Sequence, residues 1–169
     1  MKLTEQFLAE VEREAAPTRK TLERVPEGRN DWKPHEKSMQ LGYLAQLVAS
    51  MFGWATSMIT LDEMDIAPVG ETPGQVQWKT RADLLKTFDE SVAGLREALS
   101  NTTDEHLLTN WRLLAAGRVV DDSPRYLGIR HNVLYHLAHH RGQLTVYLRL
   151  NEASVPAIYG PSADERPAF

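Results

Sequence analysis

Two histidines four residues apart, His136 and His140, are the side chains of this sequence best placed to do chemistry. On a helix that spacing puts both rings on one face, one turn apart. Two imidazoles so placed can grip one metal ion. They can equally be half-buried polar groups that hydrogen-bond to their neighbours. Residues 131–150 around them read as one long helix holding four of the chain's six histidines. At about 100° per residue, Val133, Leu134, Leu137, Ala138, Leu144 and Leu148 make a wide apolar arc. His136, His140, Gln143 and Tyr147 form a stripe along one edge of it, while His131 and His139 point toward the more polar side. The stripe sits at a core boundary, where protein can hold a metal and a substrate can still reach it.

The zinc-peptidase pattern has the same spacing but needs Glu directly after the first His as general base. That position holds Leu137, which excludes the reading. Catalytic zinc takes three protein ligands plus water, so the pair needs a third donor from elsewhere. Gln143 and Arg141 also have plainer readings, as a packing-layer amide and an ion-paired or snorkelling cation.

The elements that must position this stripe are helical. With 169 residues the chain reads as a single domain, 1–169, large enough for a real core. Leu3, Phe7, Leu8, Val11, Ala15, Leu22 and Val25 predict a first amphipathic helix over about 3–24, bent at Pro17. Ser38 is a good N-cap for a second helix reaching about Leu61. Its apolar arc runs through Leu41, Leu44, Leu47, Val48, Met51, Phe52, Ala55, Met58 and Ile59. A long irregular connection, 62–79, carries Pro68, Gly70, Pro73 and Gly74. Thr80 to Asp83 is a capping box with Asp in place of Glu, opening a third helix that ends at Asn101. In the second long connection, Trp111 to Val120 reads as a short extended hairpin turning at Ala116-Gly117. Ser123-Pro124 is the Ncap-N1 pair expected to start the fourth helix, which Asn151 ends. Val155, Ile158 and Tyr159 are expected to pack the first part of the tail onto the helices.

Composition narrows the partners. The net charge is −4 with no Lys/Arg cluster, which argues against nucleic acid or an anionic membrane. No apolar run approaches the ~18 residues of a membrane span. The acidic residues inside the first helix's periodicity argue against a signal peptide. The absence of cysteine excludes disulfides and thiolate zinc sites and suits a cytoplasmic location.

The segment His-Leu-Ala-His-His-Arg-Gly-Gln-Leu at 136–144 resembles the signature of the DinB/YfiT-like superfamily of metalloproteins. The resemblance extends to Trp-Lys-Pro-His-Glu-Lys-Ser at 32–38, Leu-Gly-Tyr-Leu-Ala at 41–45, Gly53-Trp54, and Ile-Tyr-Gly-Pro-Ser-Ala-Asp-Glu at 158–165. It implies an all-α four-helix bundle, up-down-down-up, with long connections between helices 2 and 3 and between 3 and 4. It also implies homodimers and a divalent metal, nickel or zinc, held by three histidines. His136 and His140 match two of them. The third belongs to the second helix, in a stretch of the form Leu-Gly-x-Leu-Ala-x-His, and here that position is Leu47. Leucine cannot coordinate a metal. Gln46 points about 100° away from it, and His35 and His106 in the loops, with Asp62, Glu63 and Asp65, are the other candidate donors to the site.

Characterised relatives of the superfamily include transferases that use low-molecular-weight thiols such as bacillithiol, and a mycothiol-dependent isomerase. A bound metal lowers the pKa of such a thiol and makes it a nucleophile. The resemblance thus implies a metal-dependent thiol transferase on His136 and His140, with Gln143 and Tyr147 lining the pocket and the thiol as cosubstrate. Leu47 motivates the alternative: a metal-free member acting as a small-molecule-binding or dimeric interaction module. Metal-free acid/base work by the two histidines is a third reading.

Overall fold

The structure is a computed structural model that describes residues 2–70 and 76–166. Three helices of twenty residues come first: α1, Leu3–Leu22; α2, Leu41–Thr60; and α3, Arg81–Ser100. The short strand β1, Glu63–Asp65, lies between α2 and α3. After α3 come the one-turn helix α4, Asp104–Leu107, and strands β2, Asn110–Ala115, and β3, Arg118–Pro124. A final helical run follows without a break: α5, Arg125–Gly128, a π-helical segment, Ile129–Tyr135, and α6, His136–Leu150.

Helix α1 buries Phe7, Val11, Ala15, Thr18 and Leu22, a stripe at helical spacing. It runs through Pro17 as one helix. The hydroxyls of Thr18 and Thr21 donate back to Glu14 O and Pro17 O, at 2.6 and 2.8 Å, so neither is orphaned in the core. Its N-terminus is closed from a distance. Asp104 of α4 accepts from Leu3 N and Thr4 N at 2.9 and 3.0 Å. Those backbone donors, Thr4 first, hold the Asp104 carboxyl below the usual carboxylate range.

Side-chain contacts fix the helix directions. Ser91 Oγ donates to Ala49 O at 2.8 Å, and Gly94 lies against Thr56, so α2 and α3 run parallel. The Arg19–Asp89 and Arg96–Glu12 pairs make α1 antiparallel to α3. Trp54 lies beside His136 and Tyr147 reaches Met39, which makes α6 antiparallel to α2. The core between them is led by Phe7, Phe52, Phe88 and the leucines of α2, α3 and α6. Gly42 is where the loop before α2 crosses close. A Cβ there would stand 2.8 Å from Asn30 Cβ, and Trp78 Nε1 donates to the Gly42 carbonyl at 2.9 Å.

The all-α expectation is corrected by a three-stranded mixed sheet, order β1-β2-β3. The hairpin read at 111–120 is present as β2 and β3, antiparallel, with Ala115 opposite Arg118. Its two-residue turn has both Ala116 and Gly117 at positive φ, the primed geometry that matches strand twist. The unexpected strand is β1, which pairs parallel to β2 with Met64 opposite Leu113. Asp65 explains why it stays there: its carboxylate accepts from Ala67 N, Ala116 N and Gly117 N at 2.9, 3.1 and 2.7 Å. Buried Arg125 locks the other end, donating to Asn110 O and, at 3.1 Å, to Leu61 O.

Two boundaries and one helix type also differ. The N-cap of α2 is Gln40 rather than Ser38, and the first donors of the helix, Leu41 N and Gly42 N, go to Trp32 O and Asn30 O of the preceding loop, at 2.8 and 3.0 Å. The last helical run starts at Arg125, because Ser123 and Pro124 finish β3. Seven residues of that run are π-helical, with wider i→i+5 bonding, where one α-helix was expected. Pro73 and Gly74 of the first long connection, and residues 167–169 of the tail, lie outside the described residues.

Candidate functional site

The π segment ends at Tyr135, so His136 is the first residue of regular α-helix and His140 stands one turn beyond it. Their rings meet directly. Nε2 of His136 and Nε2 of His140 are 2.8 Å apart, with ring centroids 4.4 Å apart. The other nitrogen of His140, Nδ1, lies 2.7 Å from Gln143 Oε1. An amide oxygen only accepts, so Nδ1 carries the proton and His140 Nε2 carries the lone pair. The proton between the two rings then belongs to His136 Nε2, and His136 Nδ1 is left as the pair's free acceptor. A ligand O–H or N–H can donate there. The two Nε2 atoms share room for one proton only, so the pair carries at most one positive charge while the contact lasts.

His140 is buried, only 5% exposed, whereas His136 is half-buried and closer to solvent. Burial pushes His140 below the usual histidine range; Gln143 acts in the opposite sense, and the adjoining rings of His136 and His139 push it further down. His139 is exposed, yet its ring stands edge-on to His140 with centroids 5.0 Å apart. It is nearer the pair than a position on the polar side suggests. His131 stacks on Tyr135 at 5.5 Å, away from the pair.

Helix α2 supplies the opposite wall. Trp54 packs on His136 with centroids 5.9 Å apart. At the far end Tyr147 donates to Met39 O at 3.2 Å and takes Trp32 edge-on at 5.4 Å. Between those two fixed points the antiparallel register brings Leu47 level with the turn carrying His140 and Gln143. Trp54 went unnoticed as a site residue in the sequence, although it lies seven positions, two helical turns, from Leu47 and so shares its face. Gln143 is exposed and serves His140, while Tyr147 is buried and ties the start of α2 to α6.

The remaining donors are committed elsewhere. Gln46 accepts from Gln77 N at 2.7 Å, toward α3. His106 belongs to α4 and contacts Ile59 O through Nε2 at 2.8 Å. His35 Nδ1 accepts from Lys37 N, Asp62 pairs with Arg125 and Glu63 with Arg112. Asp65 caps the hairpin turn. Arg141, beside His140, is 1% exposed and bonded to Glu14, Thr18 and Tyr159, which makes it an ion-paired core residue.

A divalent metal held by three histidines can be tested against this donor set. Leu47 offers no donor, and among the described residues no group of three His, Cys, Asp or Glu is placed to hold an ion. A tetrahedral zinc with bonds of about 2.0–2.1 Å keeps two ligand nitrogens roughly 3.3 Å apart. At 2.8 Å the histidines are hydrogen-bond partners. The residues present do not fit a resident metal.

No family model matches the chain. Over 163 residues it is 26% identical to the uncharacterized protein YrdA of Bacillus subtilis (strain 168), covering 96% of this chain and 92% of that one. Among solved structures it is similar to the DinB-like protein YjoA of Bacillus subtilis, with TM-score 0.65 and 18% identity over 89% of this chain and 96% of that one. A DinB-like protein from Bacillus cereus ATCC 10987 superposes with TM-score 0.67 and 20% identity, over 92% of this chain and 97% of that one. The fold is that of the DinB-like proteins. Both likenesses span about nine-tenths of this chain. Among the described residues no helix is long and apolar enough to cross a membrane.

Proposed function

We propose that this chain is a DinB/YfiT-like protein that works without a resident metal, as a small-molecule-binding module. Its site is the face between α2 and α6, and its chemical centre is the His136–His140 pair. One observation carries the reading: the two Nε2 atoms bond to each other at 2.8 Å, level with Leu47 where the resemblance expects a histidine. Gln143 fixes the His140 tautomer, so the pair offers a bound molecule one acceptor, His136 Nδ1. Trp54 supplies an apolar wall beside it. A cysteine-free sequence suits a cytoplasmic location.

The test is metal analysis of protein purified without an affinity tag and incubated with excess nickel or zinc. The reading expects no stoichiometric metal after dialysis. Retained metal that is lost in His140→Ala refutes it.

A second reading, a metal-dependent transferase with nickel or zinc and a low-molecular-weight thiol cosubstrate, draws on the contact between Gln143 and His140 Nδ1. A metal-ligating histidine commonly donates its second nitrogen to an oxygen in this way. Retained metal in the same experiment is the result that favours it.

A further inference from the structure

A second cleft lies away from the histidine pair, where α2 and α3 end side by side. It encloses about 510 Å3, within the range of small-molecule sites, and its walls include Thr56, Ile59, Gly94, Glu97, Ala98 and His106. Its electrostatics have one sign. Two parallel helices bring their negative C-terminal ends to the same place, and neither has a basic residue in its last turn. No Lys or Arg lines the cleft. Glu97 is exposed, and among the described residues it makes no ion pair or side-chain hydrogen bond. The nearby cation Arg96 is already held by Glu12 through two contacts, at 2.5 and 2.7 Å.

The threonine hydroxyls, Asn101 and His106 of its wall also offer acceptors to a cation. Thr56 Oγ1, in its wall, is buried with no hydrogen-bond partner. His106 Nε2 serves the Ile59 carbonyl at 2.8 Å, so the neutral ring keeps its lone pair on Nδ1. Ile59, Ala98 and the bare backbone of Gly94 provide apolar surface. A Cβ at Gly94 would lie 3.7 Å from Thr56 Oγ1, so the missing side chain is what leaves room between the helices.

We propose that this cleft binds a small aliphatic ammonium ion. Its alkyl part rests on Ile59, Gly94 and Ala98, and its charge faces the Glu97 carboxylate and the paired helix ends.

The test is a titration of the full chain with butylammonium chloride, followed by amide NMR shifts, with sodium butyrate at equal ionic strength as control. Butylammonium alone should produce saturable shifts at Gly94, Glu97, Ala98 and Asn101. Glu97→Gln keeps size and removes charge; it should weaken binding by about fivefold or more. Gly94→Leu, with its fold checked by the same spectrum, should abolish binding. Equal shifts with butyrate overturn the proposal. So do shifts that never saturate, shifts confined to the His136–His140 face, or unchanged affinity in Glu97→Gln.

Discussion

The Nε2 atoms of His136 and His140 stand 2.8 Å apart, so a single proton lies between them. The direction of that hydrogen bond is set outside the pair, by Gln143 Oε1 at His140 Nδ1. In Gln143→Leu the acceptor is lost, and His140 should shift toward the tautomer protonated on Nε2. Long-range nitrogen–proton NMR on the two rings reads this directly. An unchanged His140 tautomer would show that Gln143 has no part in ordering the pair.

Burial holds His140 below the usual histidine range, and this makes stability depend on pH. The unfolded chain takes up a proton near pH 6.5, while the folded chain takes it up only at lower pH. Stability from this group is therefore complete above about pH 6.5 and is lost as pH falls through that value toward the folded pKa. Thermal unfolding followed across that window should show a falling Tm, with a shallower slope in His140→Gln. Identical slopes in the two proteins would contradict the assignment.

Arg141 is a core residue with charged and neutral partners on α1, and Tyr159 of the tail closes over it. Replacing it by Met leaves Glu14 without its buried partner. Arg141→Met should lose about 3–5 kcal/mol, measured by urea unfolding. A loss under about 1 kcal/mol would place the pair among weak surface contacts.

Gly42 faces Asn30 at a distance that no Cβ tolerates. Gly42→Ala should cost about 1–3 kcal/mol through displacement of the loop before α2. The companion Gly142→Ala on α6, where nothing lies within 4 Å, should be neutral or stabilising.

Some of this architecture was legible in the sequence because it is local. The Thr80–Asp83 box is a four-residue pattern, and both of its reciprocal bonds form, at 3.2 and 2.9 Å. The Ala116-Gly117 turn flanked by Trp111 and Val119 is equally local, and the hairpin is there. Strand β1 was not legible: three residues are too few to show a strand period, and their partner, β2, lies far along the chain beyond α3. The π segment left no sign either, since its bonding is a backbone choice made in the packed helix. At the site, spacing alone placed His136 and His140 on one face. Their direct contact and the approach of Trp54 depend on the register of α2 against α6, which no short stretch encodes.

The central claim is that Leu47 is what separates this site from a metal centre, and a gain-of-binding titration tests it most directly. Nickel or zinc affinity is measured by competition with a chelator for the untagged wild type, Leu47→His, and Leu47→His combined with His140→Ala. The account predicts weak binding by the wild type, tighter by about two orders of magnitude in Leu47→His, and weak again in the double variant. Tight stoichiometric binding by the wild type, unimproved by Leu47→His and lost when His140→Ala is introduced, would contradict it.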